Sequence, residues 1–247
     1  MQSIEAAHRR YLQQSAWTSD LRKHLISKIG LRSNSCILEI GSGTSAILGD
    51  FASDYPAWGI DLDMAALKVA HEFNPDVHLS NADGHNLPLP ANTYDLVYCH
   101  FLLLWVADPA KILAEMKRVT RPGGWIIAFA EPDYGSRIDF PGELEELGAM
   151  QAMSLENRGA DPNLGRRLSQ LFASLNLKGS EIGIMGMQRD LPQKSFDLEE
   201  QRMWQEDIAP LISSKKLERW IQIEGKAIEQ GKRIQFVPTF FALGQKE

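Results

Sequence analysis

Ile37-Leu38-Glu39-Ile40-Gly41-Ser42-Gly43-Thr44-Ser45-Ala46-Ile47-Leu48 is the stretch that decides the fold. Residues 36–40 are an apolar run interrupted only by Glu39, which predicts a buried strand. Gly41 and Gly43 predict a tight turn, and an apolar helical period resumes over 44–52. Strand, glycine loop and helix N-terminus together offer bare backbone and unpaired N–H groups to a small ligand. The pattern alone does not name that ligand.

On the C-terminal side the same alternation repeats. Residues 57–60 predict a second strand ending at Asp61-Leu62-Asp63, with Asp63 capping a helix over 64–71. A third strand over 77–79 precedes Asn81-Ala82-Asp83-Gly84, and the proline-bearing loop 85–93 is irregular. Residues 94–99 predict the fourth strand, with His100 at its end, and Asp108-Pro109 opens a helix over 110–120. Arg121-Pro122-Gly123-Gly124 reads as a turn before a fifth strand over 125–130, after which Glu131-Pro132-Asp133 begins a polar loop. Strands alternating with helices predict an α/β, Rossmann-like, doubly wound sheet of seven mostly parallel strands, with ligands at the strands' C-terminal ends. Candidate strands over 180–188 and 236–243 would add an antiparallel pair at one edge, although Pro238 suits only a bulge or a strand entry.

The flanking segments read as helical. Residues 4–29 predict two helices broken near Trp17-Thr18-Ser19, with Thr18 or Ser19 as N-cap. Helices are expected over 142–158, from Asp161-Pro162 through Leu175, near 197–210 and over 214–230. The organisation expected is one domain over 1–247. Its core is 30–131 and its terminal strand 234–244, and segments 1–29 and 132–232 are helical cap additions.

Composition narrows the class. The chain has 247 residues, 44% of them hydrophobic, which suffices for a substantial core without disulfides. A net charge of −6 argues against a nucleic-acid partner. The longest apolar run, 101–107, is far short of the roughly 20 residues that span a bilayer. The expected setting is cytoplasmic, with Cys36 and Cys99 as reduced thiols.

Gly41-x-Gly43-x-x-Ala46 also satisfies a dinucleotide fingerprint, with Asp61 at the ribose distance. Glu39 argues against a pyrophosphate there. Unit charges about 4 Å apart interact by roughly 4 kcal/mol at an effective dielectric near 20. A carboxylate therefore disfavours a diphosphate and favours an ammonium. A ligand bearing an amino-acid ammonium, an adenosine ribose and a cationic sulfur would satisfy all three acids, Glu39, Asp61 and Asp83.

Glu39-x-Gly41-x-Gly43, Asp61, Asn81-Ala82-Asp83-Gly84 and Arg121-Pro122-Gly123-Gly124 form an ordered set. That set resembles the motifs of class I S-adenosylmethionine-dependent methyltransferases over about residues 30–131. Within that superfamily the chain looks most like small-molecule enzymes that include the quinone C-methyltransferases. The resemblance implies that Gly41, Ser42 and Gly43 approach the methionine part of S-adenosylmethionine, and that Glu39 holds its ammonium. It also implies that Asp61 accepts the ribose hydroxyls, Leu62 packs on adenine, and Asp83 accepts from the adenine amino group beside Gly84. Ser45 departs from the family by replacing its usual third glycine, within what reads as the first turn of the helix. Tyr11 is either a core aromatic or a lid over the glycine loop.

Methyl transfer needs positioning foremost, and a general base only for a hydroxyl, phenol or carbon acid. His100 is the leading base candidate, or else a hydrogen-bonded spacer beside the cofactor. Glu131 and Asp133 are further catalytic candidates, and Arg137 and Arg166 could meet an anionic substrate. Trp105, Tyr134, Met150, Met153, Met203 and Trp204 are candidates for an apolar acceptor pocket suited to a small, partly apolar molecule. No metal is expected. A non-catalytic cofactor-binding relative and a nicotinamide oxidoreductase are the alternatives.

Overall fold

The computed structural model of the protein describes residues 4–186 and 198–247. Helix α1 (Ile4–Ile29) leads into strand β1 (Ile37–Ile40), short helix α2 (Leu48–Phe51), β2 (Ala57–Asp61), α3 (Met64–Phe73) and β3 (His78–Asn81). Then come β4 (Tyr94–Cys99), α4 (Pro109–Val119), β5 (Thr120–Pro132), β6 (Ile138–Phe140), α5 (Glu145–Asn157), α6 (Leu164–Ala173) and β7 (Lys178–Met185). Helices α7 (Leu198–Ile208) and α8 (Ser214–Glu229) and strands β8 (Ile234–Phe236) and β9 (Thr239–Gln245) complete the described order.

Seven strands form one sheet in the order β3-β2-β1-β4-β5-β9-β7. The first five pair in parallel, with Glu39 beside Gly59 on one side and Tyr98 on the other, and β9 and β7 form the antiparallel C-terminal pair. The chain steps outward from β1 to β3, then returns to β4 on the other side of β1. That reversal opens a crevice at the C-terminal ends of β1 and β4, where such sheets bind ligands.

The chain divides into two compact units. One comprises 1–131, 167–183 and 240–247, and the other 132–166 and 184–239. The first unit's core packs Leu25 of α1 and Leu48 and Phe51 of α2 against Ile37, Leu96, Tyr98, Ile127 and Phe129 of the sheet. Odd-numbered positions of β1 and even-numbered positions of β4 share this face because side chains alternate along a strand. Glu39 lies on it between apolar neighbours.

Several expectations change. The predicted break at Trp17-Thr18-Ser19 is absent, and α1 is continuous. Thr18, 1% exposed, sits inside the continuous helix with its Oγ1 3.2 Å from the Ser15 carbonyl one turn earlier, and so is no N-cap. Residues 44–47 are not helical: Ser45 has φ +59° and the helix begins at Leu48. Ser45 therefore lies in the loop, in a backbone conformation that favours glycine. Strand β5 spans 120–132, but at the predicted turn 121–124 its register against β4 slips from Tyr94–Thr120 to Leu96–Trp125 and Gly123 has φ +77°. The turn thus persists as a bulge, whereas the predicted loop at Glu131-Pro132 is strand. Asp63 and Asp108 cap α3 and α4 as expected. Pro238 separates β8 from β9, which is how a proline is tolerated beside a sheet. The last two positions of the expected strand 180–188, and residue 197, lie outside the described residues.

The second unit has its own small core of Leu144, Leu147, Trp204, Ile208 and Trp220. It also holds an antiparallel ribbon in which Ile138 pairs with Phe236, Asp139 with Gln235 and Phe140 with Ile234. The ribbon's polarity is inverted. Ile138, Phe140 and Ile234 are about half exposed, while Asp139, Gln235 and Arg233 are buried. The inward charges satisfy one another: Arg233 donates to Asp139 and Glu224, and Arg137 to Asp139 and Gln151.

Candidate functional site

The glycine loop turns sharply because Gly41 and Gly43 both adopt positive φ, +72° and +49°. The Gly41 and Ser42 N–H groups donate to the Ile60 carbonyl, tying the loop to β2. A Cβ on Gly41 would lie 2.6 Å from Leu102 Cδ1, and one on Gly43 would lie 3.7 Å from the Tyr11 ring. The two glycines thus keep the loop bare between Leu102 and Tyr11. Tyr11 is 41% exposed on α1, so it stands over the loop rather than in the core.

Two of the three acids converge on this loop. Asp61, ending β2, accepts the Gly43 N–H at 2.7 Å and the Asp63 N–H at 2.8 Å. Glu39 is 2% exposed; Tyr98 Oη donates to its carboxylate at 3.4 Å, and the Leu48 N–H also reaches it. Burial pushes the Glu39 carboxyl well above its ordinary range, opposed by the nearby Arg22 guanidinium. An ammonium arriving there would therefore meet a site that gains from ionising. Asp83, beyond β3, is exposed and accepts both the His85 backbone N–H at 2.9 Å and its ring Nδ1–H at 2.7 Å, which lowers its pKa. Leu62 is 67% exposed beside Asp61, and Gly84 packs where a Cβ would meet Ile112 and Ile40 at 2.9 Å. Ser42 is turned beneath the loop, its Oγ 2.8 Å from where a Cβ on Gly59 would be. The hydroxyls of Ser42 and Ser45 are both buried without a hydrogen-bond partner.

At the end of β4, His100 is buried and its Nε2 lies 2.9 Å from Thr18 Oγ1. Burial and the Arg22 guanidinium push its pKa down to about 3, so the ring is neutral at any physiological pH and a weak base. Glu131 is 0% exposed and receives the backbone N–H groups of Leu102, Leu103 and Leu104 at 3.0–3.3 Å. Burial raises its pKa to about 7, against the pull of those three donors. Its carboxylate organises the turn at 103–105, a structural task that competes with the catalytic role expected of it. In the sequence Thr18 reads only as an N-cap and Arg22 has no role, because a break at Trp17-Thr18-Ser19 separates the two residues that the continuous helix brings together. Arg22 is 2% exposed; it donates to the Ser15 carbonyl and hydroxyl, to Thr18 Oγ1 and to Asp50.

The remaining candidates belong to the second unit. Asp133 is 1% exposed and held in a two-pronged pair by the Nε–Nη2 edge of Arg166, so its carboxylate is engaged within the fold. Arg137 is likewise committed to Asp139 and Gln151 instead of an external anion. Trp204 is core, 1% exposed, and so is not a pocket wall, whereas Met153 is 45% exposed. The side chain of Met203 lies outside the described residues. Among the described residues, no group of three or more His, Cys, Asp and Glu could hold a metal ion. None of the described helices is long and apolar enough to cross a membrane.

The glycine loop, the switch point and the acid that ends β2 lie together at the C-terminal edge of the parallel strands. Residues 38–128 match the family model for the methyltransferase domain. The match is confined to this region, and the chain resembles class I S-adenosylmethionine-dependent methyltransferases related to the quinone C-methyltransferases. The demethylmenaquinone methyltransferase of Renibacterium salmoninarum is 31% identical over 117 residues, covering 46% of this chain and 49% of that protein. The chain spans about half the length of the curated relatives it matches. Two solved structures share the fold. A protein of Anabaena variabilis described as a methyltransferase from an antibiotic biosynthesis pathway has TM-score 0.66 at 16% identity, covering 92% of this chain and 96% of that one. A phosphoethanolamine N-methyltransferase of Haemonchus contortus, solved with S-adenosylhomocysteine, has TM-score 0.59 at 14% identity, covering 96% and 57%.

Proposed function

We propose that this protein is a methyltransferase that uses S-adenosylmethionine to methylate a small, partly apolar metabolite. The observation that carries the reading is the Asp61 carboxylate seated on the Gly43 N–H. A diphosphate would need that N–H and would meet the Asp61 and Glu39 carboxylates, whereas a ribose offers hydroxyls that Asp61 can accept. The bare backbone at Gly41 and Gly43 leaves room for the methionine portion, and Glu39 gains from an ammonium. Leu62 would cover the adenine and Asp83 would take its amino group.

When bound, the cofactor supplies a methyl group on a positively charged sulfur, a good leaving group. The chain's contribution is to orient that methyl and exclude water, which supplies roughly 7–11 kcal/mol. The two free cysteines, Cys36 and Cys99, suit a reducing, cytoplasmic setting.

A second reading, a cofactor-binding relative without catalysis, is favoured by the engagement of His100 and Glu131 in structural contacts. Isothermal titration calorimetry separates the classes. S-adenosylhomocysteine binds and NADH does not; the reverse result overturns the proposal. Label transfer from methyl-labelled cofactor into a metabolite extract distinguishes enzyme from binder, and its absence across broad extracts favours the binder.

A further inference from the structure

A threonine hydroxyl has one hydrogen to give and two lone pairs to receive. Thr18 Oγ1 has three neighbours: Arg22 Nη1, the Ser15 carbonyl at 3.2 Å and His100 Nε2 at 2.9 Å. Arginine can only donate, so Arg22 takes one lone pair. The single hydroxyl hydrogen then points either to Ser15 or to His100. Within the continuous helix the Ser15 carbonyl accepts the residue 19 amide, Arg22 Nη1 at 2.7 Å takes its other lone pair, and its contact with Thr18 is the longer one. The guanidinium also sets a direction. An N–H dipole on His100 aimed at Thr18 would point its positive end toward Arg22, whereas a lone pair there is stabilised. Arg22 further polarises the Thr18 hydroxyl and makes it a better donor.

We infer that Arg22 and Thr18 are positioning residues that hand a hydrogen bond to His100 Nε2, holding the imidazole neutral with its proton on Nδ1. His100 then serves as a hydrogen-bond donor, not a proton acceptor. The mate of such a donor is an oxygen that carries or develops negative charge, and this use of it rests on the methyltransferase reading above. The same chain keeps the ring from charging: burial and the Arg22 cation both oppose an imidazolium. The groups around it are Thr18 and Arg22 of α1, the Phe101 ring edge-on at 4.5 Å, and Asp50 of α2 acting through Arg22. Glu39 and Tyr98 lie on the same face of the sheet, with the Glu39 carboxyl held up by burial.

The test is the tautomer itself, read in the full unliganded chain by two-bond proton–nitrogen correlation of ¹⁵N-labelled histidines. His100→Gln assigns the signal among the six histidines. The expected result is a protonated Nδ1 and a bare, hydrogen-bonded Nε2, unchanged from pH 5 to pH 8. Thr18→Ser keeps that pattern, Thr18→Val gives a mixture of tautomers, and Arg22→Gln brings the His100 titration up toward the ordinary histidine range. A proton on Nε2, or titration of His100 within that window in the unmodified chain, overturns the inference. For the function of the donor, resorcinol and acetylacetone are compared with benzylamine as acceptors of labelled methyl. Transfer to benzylamine alone would remove the oxygen-holding role and leave the tautomer result intact. Failure of S-adenosylhomocysteine to bind would instead sink the methyltransferase reading, with the tautomer unaffected.

Discussion

The Glu131 carboxylate accepts the backbone N–H of Leu103 at 3.0 Å, and the residue before it, Leu102, is the one against which Gly41 packs. One buried acid on β5 thus sets the position of a side chain on the rim of the glycine loop.

That acid makes stability depend on pH. Its folded-state pKa of about 7 lies above its ordinary value of 4.5, so its contribution is fully present below about pH 4.5 and is lost as pH rises through 7. The shift corresponds to a difference on the order of 3 kcal/mol across that range. Glu39, also raised by burial, acts in the same sense. Glu131→Gln keeps an acceptor for the Leu103 N–H and should flatten the fall in melting temperature between pH 5 and pH 8. An unchanged slope would mean that Glu131 does not titrate there.

Ser45 combines φ +59° with a hydroxyl that is fully buried and unpartnered. Ser45→Gly should raise the unfolding free energy by about 1–2 kcal/mol, since it relieves left-handed strain and removes an unsatisfied polar group. Urea unfolding measures it. A loss of stability would show that the hydroxyl has a partner worth more than the strain.

Asp61 holds two backbone donors as well as facing the loop. Asp61→Ala should therefore weaken S-adenosylhomocysteine at least about tenfold, a single charge-assisted hydrogen bond being worth roughly 1.5–3 kcal/mol. It should also cost some stability without ligand, because the Gly43 N–H loses its acceptor. Asp61→Asn should recover part of both. Calorimetry showing unchanged affinity in Asp61→Ala would remove Asp61 from the ribose contact.

Asp133 and Arg166 form a two-pronged pair whose acid is buried and whose base is half exposed. Removing the Arg166 side chain leaves the buried Asp133 carboxylate with the backbone N–H of residue 166, at a cost of roughly 1–3 kcal/mol. Arg166→Ala should therefore unfold at clearly lower denaturant than the parent while the folded protein binds S-adenosylhomocysteine with unchanged affinity. Altered affinity with unchanged stability would restore a substrate or cofactor role to this pair.

The parallel sheet and its ligand edge were legible because Glu39 interrupts one apolar run and Asp61 and Asp83 follow two others, and an acid within a few residues of a strand end is a local signal. What escaped was non-local. Thr18 looks like a helix start beside Ser19, yet Arg22 one turn later satisfies its oxygen within a continuous helix. Glu131 precedes a proline, which reads as a loop; it is strand, and its carboxylate is spent on three amides 27–29 residues earlier, a contact that local sequence does not reveal. Ser45 looks like the first turn of a helix because composition does not reveal the sign of φ. Strand β6 has three residues and could not be distinguished from the loop around it.

The ribbon of β6 and β8 carries a lesson for judging sequence variants. Its aliphatic and aromatic side chains face outward and its ionic ones inward, so a substitution table that equates hydrophobicity with importance ranks this segment backwards. A change of Phe140 to a polar residue belongs among the tolerated alleles. The nominally mild Asp139→Asn, which removes charge from between Arg137 and Arg233, belongs among the damaging ones.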